Sequence, residues 1–484
     1  MNENINQRTL NAVKWSSMTE IVAKIISPIT NMLLARILAP EAFGVLATVT
    51  MITSFADVFV DSGFQKFLIQ HEFTDEEEEN KYTSVAFWSN LTFAFLIWIV
   101  ICVFQNPLAN LVGNEGLGRV LAIASGSIPI HAMVGIQDCT IKKKLEFKKL
   151  FYVRIPAALV PLLITLPLAL LGFDYWSLII GNISGVILRS VLIMVVGGYR
   201  PHLYFSLKKL KYMLKYGIVT LLDGLAIWST NWIDALLIAN MMSEYQLGLY
   251  RNSVSMVTSV FLIITSAVTP VLYSALSKLQ DDEKAFSNLF LNTQKILCLF
   301  LLPLGIGISL YSDLATDILF GENWSDAAFI VGITAFTLTL RTIFVSINSD
   351  AYRAKGKFKI PLLLQIIDLC ILVPACILSS NIGFEALVYT RALARLGLVI
   401  PSVVMLYVVC KISPRKTLLN ILPSCIATIF MVIVALILQR VSTAIVWQFI
   451  SIVFCAMVYL AGICMFRNER KVVMMLISKV THRK

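Results

Sequence analysis

Two polar stripes run through an otherwise apolar stretch near the start of the chain. Glu20, Lys24, Ser27 and Asn31 are spaced four, three and four residues apart, which puts them on one face of a helix. Ser54, Asp57, Asp61 and Gln65 form the same kind of stripe in the next apolar run. Such a set can neutralise an anion with its amine, meet hydroxyls with its carboxylates and amides, or hold a small cation or proton. A charge at mid-membrane costs about 2.5–3.5 kcal/mol on insertion scales, so these stripes should face protein or water. They read as the lining of a polar cavity.

Further ionisable groups lie deep in later apolar runs. Asp223 and Asp234 sit three turns apart on one face, with Asn231 close by. Arg341 and Asp368 follow on separate runs, then Arg391 and Arg395 one turn apart. Arg189 and Lys295 lie nearer the ends of their runs, where long side chains snorkel. Any one of these groups alone would read as an interhelical ion pair. Stripes on four helices, at matching places in two halves, favour a single polar tunnel. No P-loop or H-E-x-x-H motif occurs, and none of the four histidines is near another in sequence. The nine cysteines form no C-x-x-C pair and read as apolar packers. Gly181–Gly185 and Gly305–Gly307 read as close helix packing. No catalytic residue, metal site or cofactor is expected.

The elements that must position these groups are membrane spans. Apolar residues make up 58% of the 484 and charged residues 14%, and the mean hydropathy is +0.80. No loop is long enough to fold alone. The polar stretch 1–10 does not read as a cleavable leader, so the first span should act as its own insertion signal. About 20 apolar residues cross a bilayer core. Fourteen runs qualify: 15–38, 43–68, 83–104, 119–140, 151–171, 175–197, 216–239, 247–272, 289–311, 327–349, 360–380, 384–410, 418–439 and 444–466. The runs are continuous instead of alternating, so the fold class is all-α and not a β-barrel.

With the N-terminus in the cytoplasm, 29 of the 40 Lys and Arg residues fall on the inner side and four on the outer. That asymmetry orients the chain with both termini inside. It also explains the formal charge of +11 without nucleic acid. The acidic run Asp75–Glu79 is the inner-side exception, and reads as a solvated loop or as a contact for basic loops of the opposite lobe. Residues 205–216 set Leu207, Leu210, Met213 and Leu214 against Lys208, Lys209, Lys211 and Lys215, which predicts a short amphipathic helix on the inner surface. Residues 33–44 resemble 237–248 at an offset of 204. The polar stripe of the first span then falls on Gly224, Trp228, Asn231 and Ala235. Six spans per unit give a parallel repeat: lobes 1–204 and 205–410, with 411–484 adding two lipid-facing or accessory spans and a basic tail.

The run from Asn31 to Ala47, with Leu-Leu-Ala-Arg-Ile-Leu-Ala-Pro-Glu-Ala-Phe-Gly at its centre, resembles the signature of the Wzx-type polysaccharide biosynthesis proteins, the oligosaccharide flippases. Phe205-Ser-Leu-Lys-Lys-Leu-Lys, Leu247-Gly-Leu-Tyr and Tyr352-Arg-Ala-Lys-Gly-Lys are similar to later landmarks of that family. The resemblance implies the multidrug/oligosaccharidyl-lipid/polysaccharide exporter fold, two lobes around a V-shaped cavity. It implies translocation of polyprenyl-diphosphate-linked sugars across the bacterial cytoplasmic membrane by alternating access, with membrane lipids around the chain and a polysaccharide polymerase or other assembly proteins as partners. On that reading Lys24, Arg341, Arg391 and Arg395 are diphosphate ligands. Glu20, Asp57, Asp223 and Asp234 are sugar contacts, sodium- or proton-coupling sites, or counter-charges.

Two other classes stay open. A cation-coupled drug antiporter of the same fold would use the buried acids. A membrane glycan polymerase or glycosyltransferase would need a sizeable outer loop, and the longest here is about 15 residues against ordinary connections of about 4–6.

Overall fold

The computed structural model describes residues 2–60, 63–197, 199–467, 469–471 and 474. Every regular element among them is a helix. Fourteen helices are long and apolar enough to cross a bilayer: Lys14–Ala35, Pro40–Val60, Glu76–Val103, Gly118–Lys143, Phe147–Leu170, Tyr175–Gly197, Thr220–Met241, Glu244–Ser266, Glu283–Leu310, Glu322–Ala354, Lys359–Ser380, Phe384–Cys410, Pro414–Gln439 and Ile445–Cys464. They are numbered here as spans one to fourteen. Each of the fourteen expected runs finds its helix. A spanning helix satisfies its own backbone groups, which is why apolar length alone locates it. The chain is a multi-pass membrane protein.

Local expectations are corrected in several places. The second run does not continue to residue 68: its span ends at Val60, and a separate helix, Phe64–Gln70, follows Gly63. Gly63 has a φ of 80°, a left-handed conformation that favours glycine. A Cβ there would also lie 2.8 Å from Cα of Gly217. The amphipathic segment at 205–216 is not a separate surface helix but the first turns of the continuous helix Leu207–Met241. Met213 is fully buried in a core with Phe64, Phe67, Phe87 and Ile136, and extending a formed helix costs less than nucleating a second one.

The acidic run is not a loop: it starts the third span, and Lys209, in the basic segment read as the opposite lobe's, lies near enough to act on Glu78. Asp75 Oδ1 accepts from the Glu78 amide at 2.6 Å, and Glu78 Oε2 accepts from the Thr74 amide and hydroxyl at 3.0 and 2.7 Å. These reciprocal bonds cap the helix, and acids in its first turn suit the positive end of the helix dipole. Glu79 pairs with Lys143 at 2.9 Å and Glu77 with Lys81 at 2.6 Å.

Contacts divide the chain into two compact units, Met1–Asn252 and Ser253–Lys484. The boundary falls within the eighth span because the seventh packs along the second. In the first unit Trp228 Nε1 donates to Ser54 Oγ at 3.1 Å and to the Met51 carbonyl at 3.3 Å, with the Phe55 ring edge-on at 4.8 Å. The fifth and sixth spans close tightly: a Cβ on Gly181 would collide with Thr165 Oγ1, and one on Gly185 would press on Pro161.

In the second unit Gly305 meets Thr339 in the same way, whereas Gly307 has open space beside it. The last two spans are clamped to the ninth. Asn420 donates to the Leu291 carbonyl at 2.8 Å, Gln439 to Leu310 at 2.7 Å and Tyr459 to Leu299 at 2.9 Å. Lys295 does not snorkel; it pairs with buried Glu469 at 3.0 Å and ties the ninth span to the tail. Beside these helices lies an apolar crevice of about 660 Å³, lined by residues such as Pro303, Gly307, Tyr311, Met431 and Tyr459.

Candidate functional site

The first unit gathers an ionic relay across four spans. Its centre is Asp138 on the fourth span, whose side chain is 5% exposed. Asp138 Oδ2 accepts from Arg189 Nη2 on the sixth span at 2.6 Å and from Arg154 Nη2 on the fifth at 3.0 Å. Arg154 Nη1 continues to Glu20 Oε1 on the first span at 3.3 Å, and Glu20 Oε2 lies 3.8 Å from Lys24 Nζ. Three cations meet two anions, so the relay carries one net positive charge. A buried carboxylate opposite two guanidiniums is held because losing either kind of partner strands a charge in low dielectric. Lys24, Arg154 and Arg189 keep 29%, 25% and 30% of their side-chain exposure, and so can still reach a ligand.

Glu20 and Lys24 are therefore brought together as their spacing predicted. Arg189 was assigned to snorkelling and instead turns inward to Asp138. Asp138 and Arg154 did not stand out in the sequence: Asp138 has Lys142 one turn on along its own helix, whereas Arg154 has no acid within a turn of it. Asn31, two turns beyond Lys24, is part-exposed.

On the second span Asp57 Oδ2 lies 3.8 Å from His131 Nδ1 on the fourth, both side chains about 40% exposed. Asp61 lies outside the described residues. Of the seventh-span residues, Asp223 is half-buried and has no ion-pair or hydrogen-bond partner among the described residues. Asn231 is exposed, and its carbonyl accepts from Arg251 Nη1 at 3.0 Å, the guanidinium lying 3.8 Å from the Trp232 ring centre. Asp234 differs from the expectation of a shared hollow: it is fully buried, accepting from Tyr250 Oη at 2.5 Å and from the Ala235 amide at 2.8 Å. A carboxylate with its oxygens so engaged fixes the seventh span to the eighth.

The second unit repeats the theme of the first on its own helices. Arg341 Nη2 on the tenth span lies 3.4 Å from Asp368 Oδ2 on the eleventh. Arg391 on the twelfth is 3% exposed and close enough to Arg341 for the two charges to repel. Arg391 thus also departs from the expected open lining. Arg395, one turn on, is part-buried, with its Nε unpaired among the described residues. Backbone irregularities mark the place. The α-helix of the tenth span gives way after Arg341 to a π-helical turn, Thr342–Ser346, and Arg395–Leu398 is a 3₁₀ turn. Such turns re-aim side chains and recur at functional sites.

Each unit thus pairs one buried Asp with guanidinium groups of neighbouring spans: Asp138 with Arg154 and Arg189 in the first, Asp368 with Arg341 in the second. Guanidinium forks with part of their surface accessible can take the oxygens of a phosphate or carboxylate in pairs. Among the described residues no cluster of three or more His, Cys, Asp or Glu is placed to hold a metal ion.

The chain matches the family described as polysaccharide biosynthesis protein over residues 33–329, more than half its length. It is 24% identical over 343 residues to the succinoglycan biosynthesis transport protein ExoT of Rhizobium meliloti, covering 71% of this chain and 69% of ExoT. To the teichuronic acid biosynthesis protein TuaB of Bacillus subtilis it is 27% identical over 361 residues, covering 73% and 72%. Among solved structures, the lipid II flippase MurJ in its inward closed conformation superposes with a TM-score of 0.76 at 17% identity, over 94% of this chain and 99% of MurJ. That likeness carries the fold, and the sequence match carries the family: the chain belongs to the polysaccharide biosynthesis proteins, a family of multi-pass membrane transporters.

Proposed function

We propose that this protein flips polyprenyl-diphosphate-linked oligosaccharides from the inner to the outer leaflet of a bacterial cytoplasmic membrane, for assembly of a surface polysaccharide. The observation that carries the reading is the Lys24–Glu20–Arg154–Asp138–Arg189 relay. It holds three part-exposed cations, in excess of its acids, among membrane spans. A diphosphate needs such cations, an oligosaccharide needs polar partners, and a polyprenyl tail can remain in the bilayer. The related ExoT and TuaB, named for the biosynthesis of succinoglycan and of teichuronic acid, support the substrate class. We place the basic loops in the cytoplasm and take spans one to six and seven to twelve as two repeats moving by alternating access. We take the polymerase of the same glycan as an assembly partner.

The experiment is complementation. A strain lacking this protein, with its glycosyltransferases intact, should accumulate lipid-linked glycan on the inner leaflet. The wild-type chain should clear it and Arg154→Ala should not, at equal membrane abundance. Clearance without the chain, or no accumulation on its loss, would end the reading. A second reading, a cation-coupled drug antiporter of the same fold, draws on the Asp57–His131 pair, since imidazole is the side chain that exchanges protons near neutral pH. Under the flippase reading the same pair supplies proton coupling. Drug export that persists with no lipid-linked glycan phenotype would favour the antiporter.

A further inference from the structure

A cavity of about 500 Å³ lies in the first unit, lined by Phe67, Gln70, His71, Tyr212 and Lys215. It is distinct from the mid-span clusters and sits beside the close approach of Gly63 to Gly217. Its side chains are arranged, not merely present. The His71 ring stacks on Phe67 at 4.7 Å and 18°, and meets Phe73 and Tyr212 edge-on at 4.9 and 6.0 Å. Tyr212 stands edge-on to Phe67 at 5.7 Å and is 53% exposed; Lys215 is exposed beside it. At the edge of this ring cluster Lys209 lies over Tyr82 at 3.8 Å and Lys143 over Phe73 at 4.2 Å.

The chemistry of this lining selects its ligand. An imidazole fixed between rings loses little freedom on binding. Ring faces match the C–H face of a sugar, while the amide and phenol offer hydrogen bonds to its hydroxyls. The Lys215 ammonium can meet phosphate oxygens, and the imidazole N–H is left for a sugar hydroxyl. A volume of about 500 Å³ suits one monosaccharide with a phosphate, within the usual range of ligand pockets of about 300–1,000 Å³. A surface that merely attracted anionic lipid would need only its lysines.

We propose that this cavity receives the phosphate and first sugar of the lipid-linked substrate at the cytoplasmic surface, before the Gly63–Gly217 seam parts to admit it. The inference rests on the flippase reading and adds a subsite to it. Phosphatidylglycerol also carries a phosphate ester with hydroxyls, so the test must separate the two sources.

The full chain, purified into phosphatidylcholine nanodiscs, is titrated by native mass spectrometry with undecaprenyl diphosphate glucose, sugar-free undecaprenyl diphosphate and phosphatidylglycerol. Tyr212→Ala and His71→Ala should weaken binding of the glucose-bearing lipid about tenfold, the worth of one ring contact with its hydrogen bond. They should leave the sugar-free lipid nearly unchanged. Tyr212→Phe, which keeps the ring, should retain most of the affinity and guards against misfolding. Unchanged binding of the glucose-bearing lipid by both Ala variants overturns the subsite while leaving the flippase reading standing. An equal loss for phosphatidylglycerol also overturns it, making the cavity an ordinary lipid anchor. A wild-type chain that binds neither polyprenyl lipid removes the flippase reading and this subsite together.

Discussion

Gly44 and Gly248 meet backbone to backbone, 204 residues apart in the chain. A Cβ on Gly248 would collide with the Pro40 carbonyl and lie 2.9 Å from the Gly44 amide nitrogen, and a Cβ on Gly44 would collide with the Glu244 carbonyl. Pro40 and Glu244 are also 204 apart, so each glycine touches the counterpart of the residue that its own counterpart touches. Reciprocity of this kind is the mark of a two-fold contact between like elements. It sets the turn between spans one and two against the turn between spans seven and eight.

Gly248→Val should therefore act as a wedge. Overpacking costs about 1–3 kcal/mol where a side chain can be accommodated by small shifts, and here backbone atoms stand in the way. The variant should insert normally but lose export, and a cysteine placed at exposed Asn231 in a cysteine-free background should react faster with an impermeant maleimide. An unchanged labelling rate would show that this contact seals nothing.

Much of the architecture was legible in the sequence because a membrane reads apolar length directly. All fourteen spans were placed that way, and the stripe from Glu20 to Lys24 kept its face. What was illegible depends on the rotation of one helix against another. Asp138 and Arg154 lie on separate spans, and only packing brings them within 3.0 Å. Asp234 looked like a cavity acid because its partner, Tyr250, belongs to the next helix. The ring cluster around His71 draws on three segments and has no spacing to betray it.

The Arg341–Asp368 pair gives a second test, by a double-mutant cycle. Removing one partner of a buried pair costs about 3–5 kcal/mol because the other charge is stranded. Asp368→Ala alone should lower the melting temperature in detergent sharply, with Arg341 and Arg391 left facing each other. Asp368→Ala with Arg341→Met should recover much of the loss, since residues in contact do not add. Strictly additive losses would mean that the two charges do not depend on each other.

Asp138 should respond differently, because two arginines share it. Arg189→Ala leaves Arg154 on the carboxylate and should cost less stability than Asp138→Ala, which strands both cations. If the relay holds a diphosphate, Arg189→Ala should nevertheless reduce export about tenfold or more, as a charge-assisted contact worth about 1.5–3 kcal/mol is lost. Arg189→Lys should restore folding but only part of the export, because an ammonium cannot present a planar fork. Equal export by the Lys and Arg forms would reduce Arg189 to a structural tie.

Lys24 and Arg391 looked alike in the sequence, each a cation within a span, and the structure separates them. Lys24 keeps 29% of its side-chain exposure and holds only a 3.8 Å contact to Glu20, whereas Arg391 is 3% exposed. Lys24→Ala should leave the melting temperature within about 2 °C, since exposed pairs contribute about 0–1 kcal/mol, and should impair export. Arg391→Ala should unfold the second unit at lower temperature before any transport defect can be read, as buried charge networks fail when one member leaves. Measuring melting and export on both variants decides the matter. A stable, export-negative Arg391→Ala would return that residue to the substrate path, and a fully exporting Lys24→Ala would remove Lys24 from it.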